Sequence, residues 1–270
     1  TRQNARVLVS AVSAQEIVST GLQQGILSAE SLEAMIRQGE ESDSAIECNY
    51  FALSMKLDDT EGSALIPVIR PLSQEETESA GQENSSSGEE GVSMAVLSQF
   101  QLEGTALIQD YTLTTVLSQE ITQGLCFLLE ESDSPVLVLQ HEDTTLSARL
   151  HQASSSWSVS ETQAHLSIQA KASIDELLQP GQRESENDFS QMEQQASDEI
   201  ASLCQKAYQA VAQYQANVLE LIDKLKWSDG ETWETASTQP EEFLASLPFT
   251  VDVTVTFDRT GLETNQKVNG

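Results

Sequence analysis

Between Ile200 and Leu225 the apolar residues fall at Ile200, Cys204, Ala207, Val211, Tyr214, Val218, Leu221 and Leu225. Their spacings run 4, 3, 4, 3, 4, 3 and 4. A heptad stripe held for almost four repeats is what a helix needs to pack lengthwise on another helix. It predicts a rod over 190–226, roughly 55 Å long at about 1.5 Å per residue. Leu203, Tyr208, Leu219 and Ile222 widen the stripe, and a wide stripe also suits a helix laid across a sheet of its own chain. Two readings follow. In one, the eight residues form an interface with a second copy or another subunit. In the other, they are core.

The remaining elements predict an α+β chain in three parts. Residues 1–45 read as a helical hairpin. Ser13-Ala14-Gln15-Glu16 is a capping-box pattern opening a helix over 14–24, and Ser28 opens a second that stops at Gly39 with Leu32, Met35 and Ile36 on one face. Residues 46–175 read as a largely antiparallel β region. There, IECNYFALSMKL puts Phe51, Leu53, Met55 and Leu57 on one face of a strand, paired through DDTEG with SALIPVIRP. Pro67 brings no ladder donor and predicts an edge or an early end. Glu103-Gly104 is the candidate tight turn of the next hairpin. GLCFLL and VLVLQ are apolar on both faces and read as central strands. AHLSIQAKA alternates cleanly, with Ala164, Leu166, Ile168, Ala170 and Ala172 facing in.

The third part, 176–270, holds the long helix, the alternating strand FTVDVTVTFD and an unstructured tail. A flexible acidic loop interrupts the β region at 72–92. Within it, SQEETESAGQENSSSGEEG has six Glu and no cation, too little apolar surface to offset its ordering entropy. SAQEIVSTGL at 13–22 and LSQEITQGL at 117–125 echo each other, but two short matches make no repeat array.

Charge restricts the partners. Thirteen Lys and Arg stand against 43 Asp and Glu, a net charge of -30, and no basic residue lies between Arg70 and Arg149. Such a field repels phosphate backbones and anionic headgroups, so neither nucleic acid nor a membrane surface is expected as a partner. It favours basic proteins and weak divalent-cation binding. No run approaches 18 apolar residues, and TRQNARVLVSAVSAQE lacks an h-region followed by a cleavage site, although the Thr1 start leaves a removed leader open. Cys48, Cys126 and Cys204 are odd in number, far apart and without a CxxC, which fits reduced, buried thiols in a cytoplasmic protein better than a disulfide framework.

Motifs for chemistry are sparse. His141 stands beside Glu142 and Asp143, but adjacent strand residues face opposite ways and cannot converge on one ion. His151 and His165 lack ligand spacing. Cys126 lies in an apolar run that suits an inert core thiol better than a nucleophile. DDTEG and ESDSP are oxygen-rich but miss the alternating ligands and distal Glu of an EF-hand loop. No GxSxG, GxGxxG or GxxxxGKS/T occurs. No catalytic, cofactor or metal residue is assigned. The expected function is a non-enzymatic structural or scaffold protein that associates with itself or with other subunits through the heptad helix and strand edges. An acidic adaptor or inhibitor of a basic protein is the alternative, and an enzyme with a loop-built site the third reading.

Overall fold

The computed structural model describes residues 5–17, 28–58, 62–71, 100–132, 135–141, 144–177 and 186–258. The architecture is α+β, as expected. The chain divides at Gln123/Gly124 into two compact units. The β region expected as one block over 46–175 is therefore two sheets, one in each unit. The acidic loop and the tail after Asp258 lie outside the described residues.

In the first unit, β1 (Val9–Ser10), β2 (Ser63–Pro71), β3 (Phe100–Gln109) and β4 (Thr112–Ser118) form a sheet in that order. β1 pairs parallel to β2, and the other pairs are antiparallel. Helix α1 (Ser28–Glu41) packs on β3, and helix α2 (Tyr50–Asp58) on β2. Covered by helices, β2 is buried from Ser63 to Ile69. Pro67 accordingly lies well inside a buried strand, and the neighbour on one flank, β1, is only two residues long.

Two expectations for this unit are corrected. The stretch around Phe51 is helix α2, not a strand, because Asn49 caps it: its Oδ1 accepts the Ala52 amide at 2.9 Å and its carbonyl the Leu53 amide at 2.9 Å. The hairpin turn is Asp110–Tyr111, both at positive φ, which matches the twist of the flanking strands. Gly104 is instead inside β3, at φ +140, beside a register shift in the β2–β3 ladder. A Cβ there would run into the Leu117 carbonyl, so only glycine fits.

Helix α3 (Gln119–Leu128) carries the chain from the first unit into the second. GLCFLL is thus helix, not a central strand. Its start is capped by Ser118, whose Oγ accepts the Ile121 amide. Ser13 does the same for Glu16 at the start of a helical turn at 14–17. The echo between the two segments is therefore a pair of helix starts.

In the second unit, β5 (Val136–His141), β6 (Thr144–Val159), β7 (Ala164–Leu177) and β8 (Phe249–Phe257) form a sheet in that order. β7 and β8 run parallel. The crossover between them holds α4 (Glu186–Ala212), α5 (Leu221–Ser228), α6 (Gly230–Thr238) and α7 (Pro240–Ser246). β5 is an edge rather than a central strand: Leu137 and Leu139 are buried, while Val136 and Val138 are exposed. The alternation in β7 holds residue for residue, with Ala164, Leu166, Ile168, Ala170 and Ala172 buried.

Helix α4 lies on this sheet against β8 and β5. It also satisfies edge amides of β8. Ser197 Oγ accepts from the Val255 amide and Glu193 Oε1 from the Phe257 amide, both at 3.0 Å. Two amides of the edge are thereby closed by side chains, one way a strand end is shielded from further pairing. The Tyr208 hydroxyl donates to the Leu247 carbonyl at 2.9 Å, and its ring stacks on Phe249.

Candidate functional site

The heptad stripe is the first candidate, and its rod does not exist as one helix. α4 ends at Ala212, and Gln215 takes a left-handed conformation at φ 56. The Ala216 amide returns to the Val211 carbonyl and the Gln215 amide to that of Ala212, a Schellman-type stop. Glu220, also left-handed, is the N-cap of α5, and Asn217 ahead of it supplies an acceptor: its buried Oδ1 takes the Leu221 amide at 2.8 Å.

Ile200, Cys204, Ala207, Val211, Val218, Leu221 and Leu225 are all buried within the chain, and Tyr214 is half-buried. Phe189, Met192 and Ala196 extend the same buried stripe toward the helix start. Burial pushes the Cys204 thiol up to about 12, so it stays protonated and inert. Seven of the eight residues expected at an interface are thus core of their own chain. The stripe is wide because it covers a sheet, the second of the two readings above.

The histidines are positioned by polar neighbours on the open face of the second unit's sheet. His151 Nε2 lies 2.9 Å from Asp258 Oδ2. His165 Nδ1 lies 2.9 Å from Thr250 Oγ1, and its Nε2 is 3.6 Å from Asp252 Oδ2. The His141 side chain and residues 142–143 are not among those described. Cys126 is buried in α3, as its apolar setting implied. Among the described residues, no cluster of three His, Cys, Asp or Glu converges as metal ligands would. Parts of DDTEG and ESDSP fall outside the described residues. Asp58, at the start of the former, accepts a hydrogen bond from Tyr111.

A cavity of about 600 Å³ opens in the second unit beside α6 and α7, with Glu161, Asp229, Glu231 and Glu242 on its wall. Asp229 serves as the N-cap of α6: its Oδ1 accepts the Thr232 amide at 3.1 Å and its Oδ2 the Thr232 hydroxyl at 2.6 Å. Those bonds to the ionised form hold its carboxyl below the usual range. Its carboxylate is therefore engaged in the fold. The cavity offers an acidic, hydroxyl-lined wall and no nucleophile paired with a base.

The least satisfied surface is in the first unit. α2 has no buried residue, and Phe51 and Met55 are 54% and 60% exposed. They flank Leu53, which packs inward on the buried cluster of Cys48, Ile66, Val68 and Ala106. Two residues either way from Leu53 is about 200° round the helix, the side away from the sheet. Ile108 packs on the same cluster, and the ladder places Leu113 opposite Ile108 and Val116 opposite Ala106. Leu113 and Val116 therefore stand on the sheet face that bears α2, on the edge strand, and both are exposed. The Tyr111 hydroxyl donates to Asp58 Oδ1 at 2.9 Å and joins the hairpin tip to the end of α2. The strand reading of this segment put Phe51 and Met55 on the same face as Leu53. Asn49 was the signal for a helix, and a helix parts them.

Comparison with known proteins supplies the lineage. The family model described as "Spore germination B3/GerAC like, C-terminal" matches residues 103–261, more than half of the chain. The chain belongs to this spore-germination family. A solved structure titled "Crystal Structure of the GerBC protein" is similar with a TM-score of 0.60 at 13% identity. The match covers 78% of this chain and 61% of that one, so this chain spans less than two thirds of its length. At that identity the likeness concerns the fold. No curated protein matches at the level of sequence.

The family corrects the expected location. GerAC-like proteins are lipoproteins of the spore inner membrane, not cytoplasmic proteins. Cys48, Cys126 and Cys204 are free and buried, as expected, but a buried thiol is inert and so does not report its compartment. The hydropathy reading concerns spanning helices alone, and lipoproteins need none. Among the described residues no helix is long and apolar enough to cross a membrane.

Proposed function

We propose that this chain is a non-enzymatic subunit of a germinant receptor, a protein that works by fitting other subunits in a larger assembly. Membership of the GerAC-like family over residues 103–261 carries the reading. The sequence argument for an assembly protein points the same way, but its surface has moved. With the heptad stripe consumed inside the second unit, contact falls to what the fold leaves uncovered: Phe51 and Met55 on α2, Leu113 and Val116 on edge strand β4, and Val136 and Val138 on edge strand β5. Exposed apolar side chains grouped on edge strands are what protein partners cover.

The test is co-purification. An affinity-tagged chain, expressed in sporulating cells and extracted from the spore membrane with detergent, carries companion proteins at fixed stoichiometry through size exclusion. A chain that elutes at its own 29.4 kDa plus detergent, with no companion, contradicts the reading.

A further inference from the structure

We infer that the outward side of α2, continued by Tyr111 and the exposed edge of β4, is a docking surface for a protein partner with an apolar recess rimmed by Lys and Arg. The inference rests on the subunit reading above and names the surface and partner chemistry within it.

An exposed apolar side chain on its own is ordinary, but this group is not scattered. Phe51 and Met55 are one turn apart on a helix that turns its other side to the core. Leu113 and Val116 occupy adjoining positions on the sheet face that bears the helix. Tyr111 is 68% exposed, yet its hydroxyl is tied to Asp58, so a large ring is presented at low entropic cost. Aromatic and methionine side chains of this kind dominate the centres of protein interfaces.

Charge decides among the occupants. Residues 1–123 hold five Lys and Arg against 19 Asp and Glu. Asp58 and Asp110 flank Tyr111 itself, and against the single cation of α2, Lys56, the charge around the patch is predominantly acidic. A second copy would bring a like-charged rim against this one, and an anionic headgroup layer would do the same. A partner with basic groups around an apolar recess meets both features, the rim steering encounter and the centre supplying most of the contact.

The test uses the full chain and a fluorescein-labelled amphipathic peptide of Leu and Lys as the probe, followed by anisotropy at 50 and 300 mM salt. The same peptide with Glu for Lys is the control. Sedimentation velocity and phosphatidylglycerol vesicles serve as the competing arms. The expected results are a Kd raised at least tenfold by Phe51→Ser with Met55→Ser, and a flattened salt dependence in Asp58→Asn with Asp110→Asn. Unchanged melting curves confirm that the exposed substitutions leave the fold intact.

The inference is overturned if the Leu/Lys peptide fails to bind, if it binds the Ser variant as well as the wild type, or if the Glu peptide binds equally. It is also overturned if the Ser substitutions abolish self-association or vesicle binding instead. A Ser variant that still co-purifies with the companion subunits refutes the patch and leaves the subunit reading standing. A wild type that co-purifies with none refutes that reading, whatever the peptide does.

Discussion

Asn217→Ala distinguishes the broken helix from a continuous one by the sign of its effect. The Asn217 side chain is buried, and its Oδ1 accepts the amide of Leu221 at 2.8 Å, with Ile222 more distant at 3.5 Å. Alanine removes a hydrogen bond worth about 1 kcal/mol. It also strands a buried amide, which costs roughly 1–3 kcal/mol. These overlap, so a loss of about 2 kcal/mol is expected. In a unit of this size that lowers Tm by about 4–8 °C, at roughly 2–4 °C per kcal/mol. Were 199–225 a single helix, residue 217 would be an interior position, and alanine there would add about 0.6 kcal/mol of stability through helix propensity. Gln215→Gly runs the opposite way. At φ 56 glycine relieves about 1 kcal/mol of left-handed strain, whereas within a continuous helix it would cost about that much. Calorimetry of the two variants beside the wild type reads both signs. An Asn217→Ala protein that melts higher, with a Gln215→Gly protein that melts lower, refutes the break.

Three further outcomes follow from the geometry. Ser197→Ala leaves the Val255 amide without its acceptor and lowers stability by roughly 1–3 kcal/mol, with faster hydrogen exchange at that amide. Gly104→Ala forces a side chain into φ +140 and the Leu117 carbonyl, costing at least about 2 kcal/mol in a urea melt of the first unit. Asp229 has its folded pKa held below the usual carboxylate value. Its contribution is therefore complete above pH 4 and lost as pH falls through the folded pKa. Asp229→Asn is expected to melt below the wild type at pH 7, with the gap narrowing as pH drops below 4.

Legibility of the sequence followed the strength of each local signal. β7 and β8 were readable because strict alternation over many residues has one solution: a sheet with one face buried. The start of α1 at Ser28 was readable from a different signal, a serine ahead of the helical spacing of Leu32, Met35 and Ile36. The segments later seen as α2 and α3 were misread because IECNYFALSMKL and GLCFLL are short apolar runs that suit either period, so that the decision passed to their caps, Asn49 and Ser118. VLVLQ looked buried on both faces, yet Val136 and Val138 are exposed on an edge.

The heptad stripe misled for a subtler reason. Its spacing continues through the break at 213–220, where neither Gly nor Pro stands, and Gln215 bears a conformation usually left to glycine. The candidate surface was hidden by the same step. Until α2 is a helix, Phe51 and Met55 share a face with Leu53, and nothing marks them as exposed. The partner class was better served by the sequence, since net charge needs no fold to be counted.

The central claim is that the apolar stripe from Ile200 to Leu225 is spent inside the second unit, which leaves partner contact to exposed surfaces elsewhere. Val211→Glu tests it most directly, with thermal melting and sedimentation velocity run on the same sample. The account predicts loss of the cooperative melt of the second unit, because a carboxylate at a position 2% exposed has no partner or water to receive it. A Val211→Glu protein that keeps the wild-type melting curve but sediments as a smaller species would contradict it.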